Sequence, residues 1–343
     1  MKIRAFITHK QAETYSDCQD RFGINPEIKS IAVSDGMGAT WQQKIWAQLL
    51  VDSFIEKTDW LPDIESIKPL CSVWREKVND FIQELKAKNA PENMIYRNER
   101  NLAERRSAGA TFVGIRFEGN KWKGSVLGDS CLIEWNGNEA KFHTSQDVET
   151  FDSYPDYFDS DESQKGKGTP RIIEGVLSED ICLIMTSDPI SEFLSRHNQK
   201  GEIAEFIQQL LTVVSHEDFE NLVQDWRKTG MHNDDTTLVI ILYNKSCSFS
   251  MQNIDDINTL IKKEESIKQI VPIEELENKE KKTTATNKPF SDDASTFIYE
   301  FLSEFKIISK KKCKHLKSLN QATKNAAKDA FDKLLKKYSI VRK

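Results

Sequence analysis

The feature that most constrains the fold is a short apolar strand that runs into a glycine-rich turn at residues 31–39, Ile-Ala-Val-Ser-Asp-Gly-Met-Gly-Ala. Residues 31–33 are apolar and mostly β-branched, which predicts a buried strand. Asp35 follows that strand, and Gly36 and Gly38 let the backbone approach closely. A carboxylate in this setting suits a hard cation, while the simpler interpretation is a turn Asp at an ordinary strand–turn–helix junction.

The remaining pattern predicts helices and antiparallel strands in blocks. Strands are predicted over 2–8, 29–34, 110–117, 121–127, 131–135, 139–142, 181–185 and 236–243. Helices are predicted over 39–57, 70–88, 191–197, 202–213 and 218–228, where apolar residues recur every three or four positions. Short turns between 110 and 142 predict an antiparallel meander, and 146–170 predicts a long surface loop. We therefore expect an α+β fold, a two-sheet antiparallel β-sandwich flanked by helices.

Composition indicates a protein of the cytoplasm. Hydrophobic residues make up 38% of the chain and charged residues 30%. No run approaches the roughly 18 apolar residues that a membrane span requires, and the N-terminus lacks the apolar core of a signal peptide. The six cysteines are scattered, without metal-ligand spacing or a disulfide framework. Reduced thiols in a cytoplasm are the simplest explanation.

Charge divides the chain into an acidic body and a basic tail. The net charge is −6, yet residues 306–343 carry 13 Lys and Arg against two Asp. Residues 246–289 are rich in Lys, Glu, Thr and Asn and poor in aromatic residues, which is typical of a linker. We therefore predict a body over 1–244, a linker over 245–289 and a C-terminal helical basic extension over 290–343.

The basic tail allows three interpretations. It is a solvated, partly helical appendage, or it contacts an acidic partner, which includes this chain's own acidic loop at 152–162. The third interpretation is binding to nucleic acid or a membrane surface through the three lysines at 310–312. Lysines far outnumber arginines and no aromatic residues alternate with them, so the sequence does not favour specific nucleic-acid recognition.

Four Asp residues occupy similar local settings. Asp35 and Asp188 follow predicted strands, Asp234 precedes one, and Asp20 lies in the loop between the first two strands. If the sheets pair, these acids converge at one edge, where carboxylates repel each other unless cations lie between them. Two divalent ions could then clamp a phosphate and generate a hydroxide. Each Asp taken alone also reads as a turn or cap residue.

Six short motifs, taken in order, resemble the metal-dependent type 2C protein phosphatases, in their bacterial branch. They are Cys-Gln-Asp at 18–20, Ser-Asp-Gly-Met-Gly at 34–38, Gly-Ala-Thr-Phe-Val at 109–113, Gly-Asp-Ser at 128–130, Thr-Ser-Asp at 186–188 and Asp-Asp-Thr-Thr at 234–237. Each motif alone is weak, but their order matches the family over about residues 1–244. The resemblance says nothing about 245–343.

The resemblance implies a β-sandwich with two Mn²⁺ or Mg²⁺ ions at one end, and a third ion in many members. Position by position, it implies the metal-site residues Asp20, Asp35, Gly36 (through its carbonyl), Asp188 and Asp234, with Asp129 and Glu192 at the third ion. Asp129 also reads as a tight-turn residue between strands, and Glu192 as an acid in a first helical turn that the helix dipole favours.

The implied reaction is hydrolysis of phosphoserine or phosphothreonine in a phosphorylated protein. A hydroxide that bridges two ions attacks phosphorus, with Asp35, Asp20 and His9 as the catalytic residues. The substrate would be a serine/threonine kinase or one of its targets. His9 also reads as an ordinary residue at a strand end.

Three positions depart from the family pattern. Tyr15 stands where many members carry a phosphate-binding Arg, which His9, Lys10 or Arg4 would have to replace. Met37 stands where some members have a His, and Pro189 replaces the usual Gly after Asp188. None of these changes removes a metal carboxylate, so the sequence favours an active enzyme. The alternatives are a phosphatase-like module that binds a phosphorylated partner without turnover, and an enzyme that acts on small phosphoesters.

Overall fold

Two β-sheets pack face to face and carry helices on their outer sides. The structure is a computed structural model that describes residues 1–146, 155–163, 168–178, 181–243 and 248–270. Residues Met1–Lys268 form one compact unit. Strands and helices are numbered below in chain order.

The first sheet has six strands. Their spatial order is β13 (Ser250–Ile254), β1 (Lys2–Thr8), β12 (Thr236–Leu242), β11 (Cys182–Thr186), β7 (Cys131–Trp135) and β8 (Ala140–His143). Neighbouring strands are antiparallel except β13 and β1, which are parallel.

The second sheet has five strands, all antiparallel. Their order is β10 (Arg171–Val176), β6 (Lys121–Leu127), β5 (Phe112–Glu118), β3 (Ser30–Ser34) and β2 (Arg21–Asn25). A separate two-residue pair joins β4 (Gly109–Ala110) to β9 (Phe158–Asp159).

Helices cover both outer faces. On the second sheet lies α1 (Gln43–Glu56), with α2 (Lys68–Ala87) packed on α1 and α3 (Glu92–Ala103) packed on α2. On the first sheet lie α4 (Asp188–Gln199) and α6 (His216–Thr229), with α5 (Ile203–Thr212) packed on α4. The last helix of the described chain is α7 (Ile257–Ile270). Within the described ranges, no helix has both the length and the apolar composition that crossing a bilayer requires.

Strand β12 shows why the layers hold together. Its side chains alternate between two apolar clusters. Leu238 and Ile240 pack under the helices of the first sheet, whereas Val239 and Ile241 pack between the two sheets. All four are fully buried. A strand buried on both faces reads as a continuous apolar run, which is the pattern of residues 236–243.

The predicted α+β sandwich flanked by helices is confirmed, but the predicted single meander over 110–142 is wrong. Strands β5 and β6 pair in the second sheet, while β7 and β8 pair in the first. The chain crosses between the sheets at 128–130, where Gly128 has φ +94° and an added Cβ would lie 2.6 Å from the carbonyl oxygen of Asp156. Short turns look the same in a sequence whether they join strands within one sheet or across two.

Other elements also differ from the sequence prediction. Strands β2 and β10 lie in stretches that were not predicted as strands. The predicted surface loop at 146–170 contributes β9. Of the acidic residues at 152–162, Asp152 lies outside the described residues.

The predicted linker at 245–289 differs from the structure where it is described. Strand β13 pairs with β1, and α7 buries Ile257 and Leu260 against the loop that follows β1. The remainder, 271–289, and the basic extension 290–343 lie outside the described residues.

Candidate active site

The turn after β3 places Asp35 at one end of the sandwich. The Thr111 amide donates to the Asp35 carbonyl oxygen at 2.9 Å, and Gly36 forms an isolated bridge with Ala110. A Cβ at Gly36 would lie 3.0 Å from the carbonyl oxygen of Gln19. Only glycine fits this close approach without a shift of the neighbouring chain, so the turn and the loop that carries Asp20 are packed together.

Asp188 reaches the same end from the first sheet. It follows β11 and is the first residue of α4. The strand end is held by Ser187, whose hydroxyl accepts a hydrogen bond from the Thr237 amide at 2.9 Å. Pro189 lies in the first turn of α4, where no intrahelical partner is needed for its missing N–H. The departure at Pro189 therefore fits the local backbone.

Asp20 is fully buried beneath these two carboxylates. The Thr237 hydroxyl donates to its Oδ2 at 2.8 Å, but its Oδ1 is buried without a hydrogen-bond partner in the described structure. A buried carboxylate oxygen that lacks a donor is costly unless a cation neutralises it.

The crossover between the sheets brings in Asp129. Its side chain is buried, with Oδ1 also lacking a partner among the described residues. The hydroxyl of Ser191 in α4 donates to the Asp129 carbonyl oxygen at 2.9 Å. One turn of α4 carries Glu192 beside this point, where His232 Nδ1 lies 3.0 Å from its carboxylate.

Asp234 and Asp235, which directly precede β12, make different contacts. Lys10 Nζ lies 2.8 Å from Asp234 Oδ1, and both side chains are partly exposed. The carboxylate of the buried Asp235 accepts from the Lys10 amide at 2.9 Å and from the Gln19 amide at 2.8 Å. Asp235 thus fastens the loop after β1 to the sheet, while Asp234 lines the cleft.

These groups line a cleft of about 360 Å³. Of the predicted site residues, it is lined by Asp35, Gly36, Asp129, Asp188, Glu192 and Asp234, and Lys10, Met37, His232 and Asp235 are also among its lining residues. Asp20 lies beneath the cleft and His9 is not among the lining residues. The structure therefore brings together carboxylates from four separate parts of the chain.

Crowding raises the pKa of the carboxyl groups in this cleft. Burial, then the charges of Asp188 and Asp129, holds the pKa of Asp35 well above its usual range. Burial likewise raises the pKa of Asp188 and Asp20, with further contributions from neighbouring acids. Burial raises the pKa of Asp129 to about 7.

This donor set fits hard divalent cations. It consists of carboxylate oxygens, two of which are buried without partners, and a backbone turn at Gly36. In the described part of the chain, no three His, Cys, Asp or Glu side chains are arranged as ligands of a single point. Mg²⁺ typically keeps several waters and takes only one or two carboxylates, so such an ion does not need three protein side chains around it.

Two of the residues predicted to replace the phosphate-binding Arg, Arg4 and His9, do not line the cleft. The guanidinium of Arg4 is buried and donates to the carbonyl oxygens of Leu211 and Val213. The ring of His9 packs edge-on against Tyr15, with 4.6 Å between centroids. Tyr15 is itself buried, and its hydroxyl donates to Glu220 at 2.7 Å. Only Lys10 among the three predicted replacements lines the cleft.

Sequence reasoning missed Asp235 and His232. Asp235 stood within the Asp-Asp-Thr-Thr motif, but nothing in the sequence distinguishes the Asp that faces the cleft from the one that holds the loop. His232 lies two residues before Asp234 in a polar stretch, and only the packing of α4 against the end of β12 brings it to Glu192.

Comparison with known proteins identifies the family. The sequence model of the protein phosphatase 2C family matches residues 9–232. No curated protein matches the chain.

Several solved structures are similar at low identity. The serine/threonine phosphatase Stp1 from Staphylococcus aureus is 13% identical, with 71% of this chain and 94% of that one covered and a TM-score of 0.46. The Mycobacterium tuberculosis serine/threonine phosphatase PstP/Ppp is 14% identical, with 69% and 96% covered and a TM-score of 0.39. A PstP catalytic domain solved with two manganese ions has the same identity, coverage and TM-score.

Proposed function

Since this chain belongs to the protein phosphatase 2C family and is a serine/threonine protein phosphatase, we propose that it hydrolyses phosphoserine and phosphothreonine with two divalent ions, Mn²⁺ or Mg²⁺, held by its cleft carboxylates. Bound ions would supply a water of lowered pKa as the nucleophile and offset the negative charge of the phosphate. The substrates we propose are a serine/threonine kinase or its targets. The cytoplasmic location and the role of the basic extension at 290–343 stay predictions.

The observation that carries this proposal is that Asp35 and Asp188 lie in the same cleft. They come from opposite sheets, and burial together with the charges of neighbouring acids raises their pKa and that of the buried Asp20. No local structural need explains several acids at one sandwich end, because each raises the pKa of its neighbours. A cation site does explain it, since metal charge would compensate the carboxylates.

We assign roles to the residues as follows. Asp35, the Gly36 carbonyl, Asp188 and Asp234 would hold the two ions. Asp20 would act from beneath through its unpartnered Oδ1. Asp129 and Glu192 lie together at the side of the cleft and would hold a third ion.

Lys10 is the best-placed residue to hold the substrate phosphate. Its ammonium group lies at the edge of the carboxylate cluster, 2.8 Å from Asp234. With Asp234 holding a divalent ion, the Lys10 ammonium would be available to an incoming phosphate. His9, the residue before Lys10, then has a supporting role, since its ring packs against Tyr15 and its carbonyl oxygen accepts from Arg227.

The test is hydrolysis of a phosphothreonine peptide with Mn²⁺, with Mg²⁺ and with EDTA. We expect turnover that depends on metal and falls by at least roughly a hundredfold in Asp35→Asn and in Asp188→Asn, because each removes a ligand charge from the reaction centre. Asp225→Asn is the matched control, since Asp225 is exposed, its carboxylate pairs with Lys228, and its carbonyl oxygen accepts from Thr229 on the same helix, α6.

A folded protein that shows no turnover with any metal would contradict the proposed mechanism. It would favour the phosphatase-like binding module instead, and a phosphopeptide that still bound in the presence of Mn²⁺ would then define its function. Turnover of small phosphoesters with none of any phosphopeptide would point to the third interpretation.

A further inference from the structure

A second depression, the α3 groove, continues from the catalytic cleft along the helices of the second sheet. Its volume is about 780 Å³. Residues 36–39 line the cleft and residues 40–44 line the groove, so a single turn forms a wall of both. Gln19 lines both depressions as well. A chain that leaves the cleft on this side therefore enters the α3 groove directly.

The apolar part of the α3 groove is built from side chains that stay partly accessible. Trp41 and Phe81 are half-buried, and Pro91 and Met94 are exposed, with Met94 at 46%. Such a surface can receive the side chains and backbone of an extended peptide.

The wall of the α3 groove is rigid. Asn98 is buried, and its Oδ1 accepts from Trp41 Nε1 at 3.1 Å and from Gln42 Nε2 at 2.9 Å. Its Nδ2 donates in turn to the Met94 carbonyl oxygen at 2.9 Å. Gln42 is held at φ +55°, a strained conformation for a non-glycine residue. One buried amide therefore ties the turn beside the cleft to α3.

The lining of the α3 groove is positively charged, although the body of the protein is acidic. Arg97 is exposed and forms no ion pair or hydrogen bond with any described residue. Lys44 also lines the groove, with its ammonium donating to the Ser16 carbonyl oxygen at 3.0 Å. The one acid of the lining, Asp17, accepts from Thr14 through its Oδ2. The lining thus carries the two cations Lys44 and Arg97 against one acid, and Arg97 is the cation without a partner among the described residues, which suits a carboxylate.

We propose that the α3 groove binds the segment of a phosphoprotein that flanks the phosphorylated residue, and that Arg97 selects substrates with an acidic residue in that segment. This inference rests on the proposed phosphatase function and adds its substrate class. Binding energy from residues remote from phosphorus would favour phosphopeptides over small phosphoesters.

The experiment compares kcat/KM, in the presence of Mn²⁺, for p-nitrophenyl phosphate and for phosphothreonine peptides in which a single Asp is moved along an otherwise neutral sequence. We expect one Asp position to be preferred. In Arg97→Ala the ratio of kcat/KM for that peptide to kcat/KM for p-nitrophenyl phosphate should fall about two- to fivefold, the size of one exposed ion pair. Arg97→Glu should reverse the preference, so that Lys at that position becomes favourable.

Arg100→Ala is the matched control, because Arg100 lies on the same helix, pairs with Glu104 and does not line the groove. Met94→Ala should lower the ratio of kcat/KM for the peptide to kcat/KM for p-nitrophenyl phosphate with every peptide. Tyr96→Ala should leave this ratio unchanged, because Tyr96 is exposed and does not line the groove. Equal effects of Arg97→Ala and Arg100→Ala, or no preferred Asp position in the wild-type protein, would overturn the proposal.

Peptide binding measured by fluorescence anisotropy separates this inference from the proposed function. Binding that depends on the Asp position and on Arg97, in a protein without turnover, would support the groove and contradict the hydrolytic mechanism. Metal-dependent turnover with no such dependence in either assay would contradict the groove alone.

Discussion

At the scale of residues, Lys10 and Tyr15 show how neighbouring positions take different roles. Tyr15 is buried and donates to Glu220, while burial raises the pKa of its hydroxyl group far above the usual range. It is a structural residue that holds the loop after β1 against α6. Lys10 lies five positions earlier, lines the cleft and pairs with Asp234.

We expect Lys10→Ala to raise KM for a phosphothreonine peptide about tenfold, because a charged hydrogen bond to phosphate is lost. Lys10→Arg should recover part of that loss, since it keeps the charge. His9→Ala, with the affinity for Mn²⁺ as a second readout, tests the predicted role of the neighbouring ring. An unchanged KM in Lys10→Ala together with a raised KM in His9→Ala would transfer the phosphate-binding role to His9.

At the scale of elements, β13 and α7 belong structurally to the body, although their composition reads as a linker. Main-chain pairing with β1 places β13 at the edge of the first sheet, and the Ser250 amide donates to the Met1 carbonyl oxygen at 2.9 Å. Helix α7 buries Ile257 and Leu260 beside Cys18. Composition misses this case because a single edge strand and two buried side chains suffice to attach the segment.

We expect truncation after residue 270 to leave a folded, active protein, whereas truncation after residue 244 should lower the free energy of unfolding by several kcal/mol. The second truncation exposes the edge of β1 and the apolar cluster under α7, where each buried aliphatic side chain is worth about 1.5–3 kcal/mol. Urea unfolding followed by tryptophan fluorescence measures the difference. Equal midpoints for the two fragments would contradict a structural role for β13 and α7.

At the scale of the whole molecule, the cleft carboxyl groups couple stability to pH and to metal. The folded protein holds the pKa of Asp20, Asp35 and Asp188 well above the usual range and that of Asp129 at about 7. In the unfolded chain these groups lose their protons at about pH 4. Between about pH 4 and about pH 7 the folded state therefore binds more protons than the unfolded state, so its stability falls as pH rises.

We expect the Tm of the metal-free protein to fall from about pH 5 to about pH 7.5. Added Mn²⁺ or Mg²⁺ should raise Tm more at the higher pH, because ions bind the deprotonated carboxylates. In Asp35→Asn both the pH dependence of Tm and the rise in Tm caused by metal should be smaller, because one of the mutually repelling carboxylate charges is gone. A Tm that rises with pH in the absence of metal would contradict the described crowding of acids.

The sequence by itself determined the local units of this protein. The apolar run before Asp35, the glycines after it, and the continuous apolar strand after Asp234 are encoded within a few residues, so strand ends and their carboxylates could be predicted. The order of six short motifs was sufficient for the family, and the grouping of strands and amphipathic helices into blocks was sufficient for the sandwich.

Only the tertiary structure decided which of these residues meet. The separation of β6 from β7 into different sheets carries Asp129 to the cleft, and the packing of the loop after β1 turns Lys10 toward the acids and Tyr15 away from them. A separate long-range contact, the hydrogen bond of Asn98 with Gln42, ties the turn after β3 to α3 beside the α3 groove. Which side chains reach the cleft depends on contacts between residues far apart in the chain. The direction of each side chain follows from which of its neighbours are buried. Local propensity carries no signal for that choice.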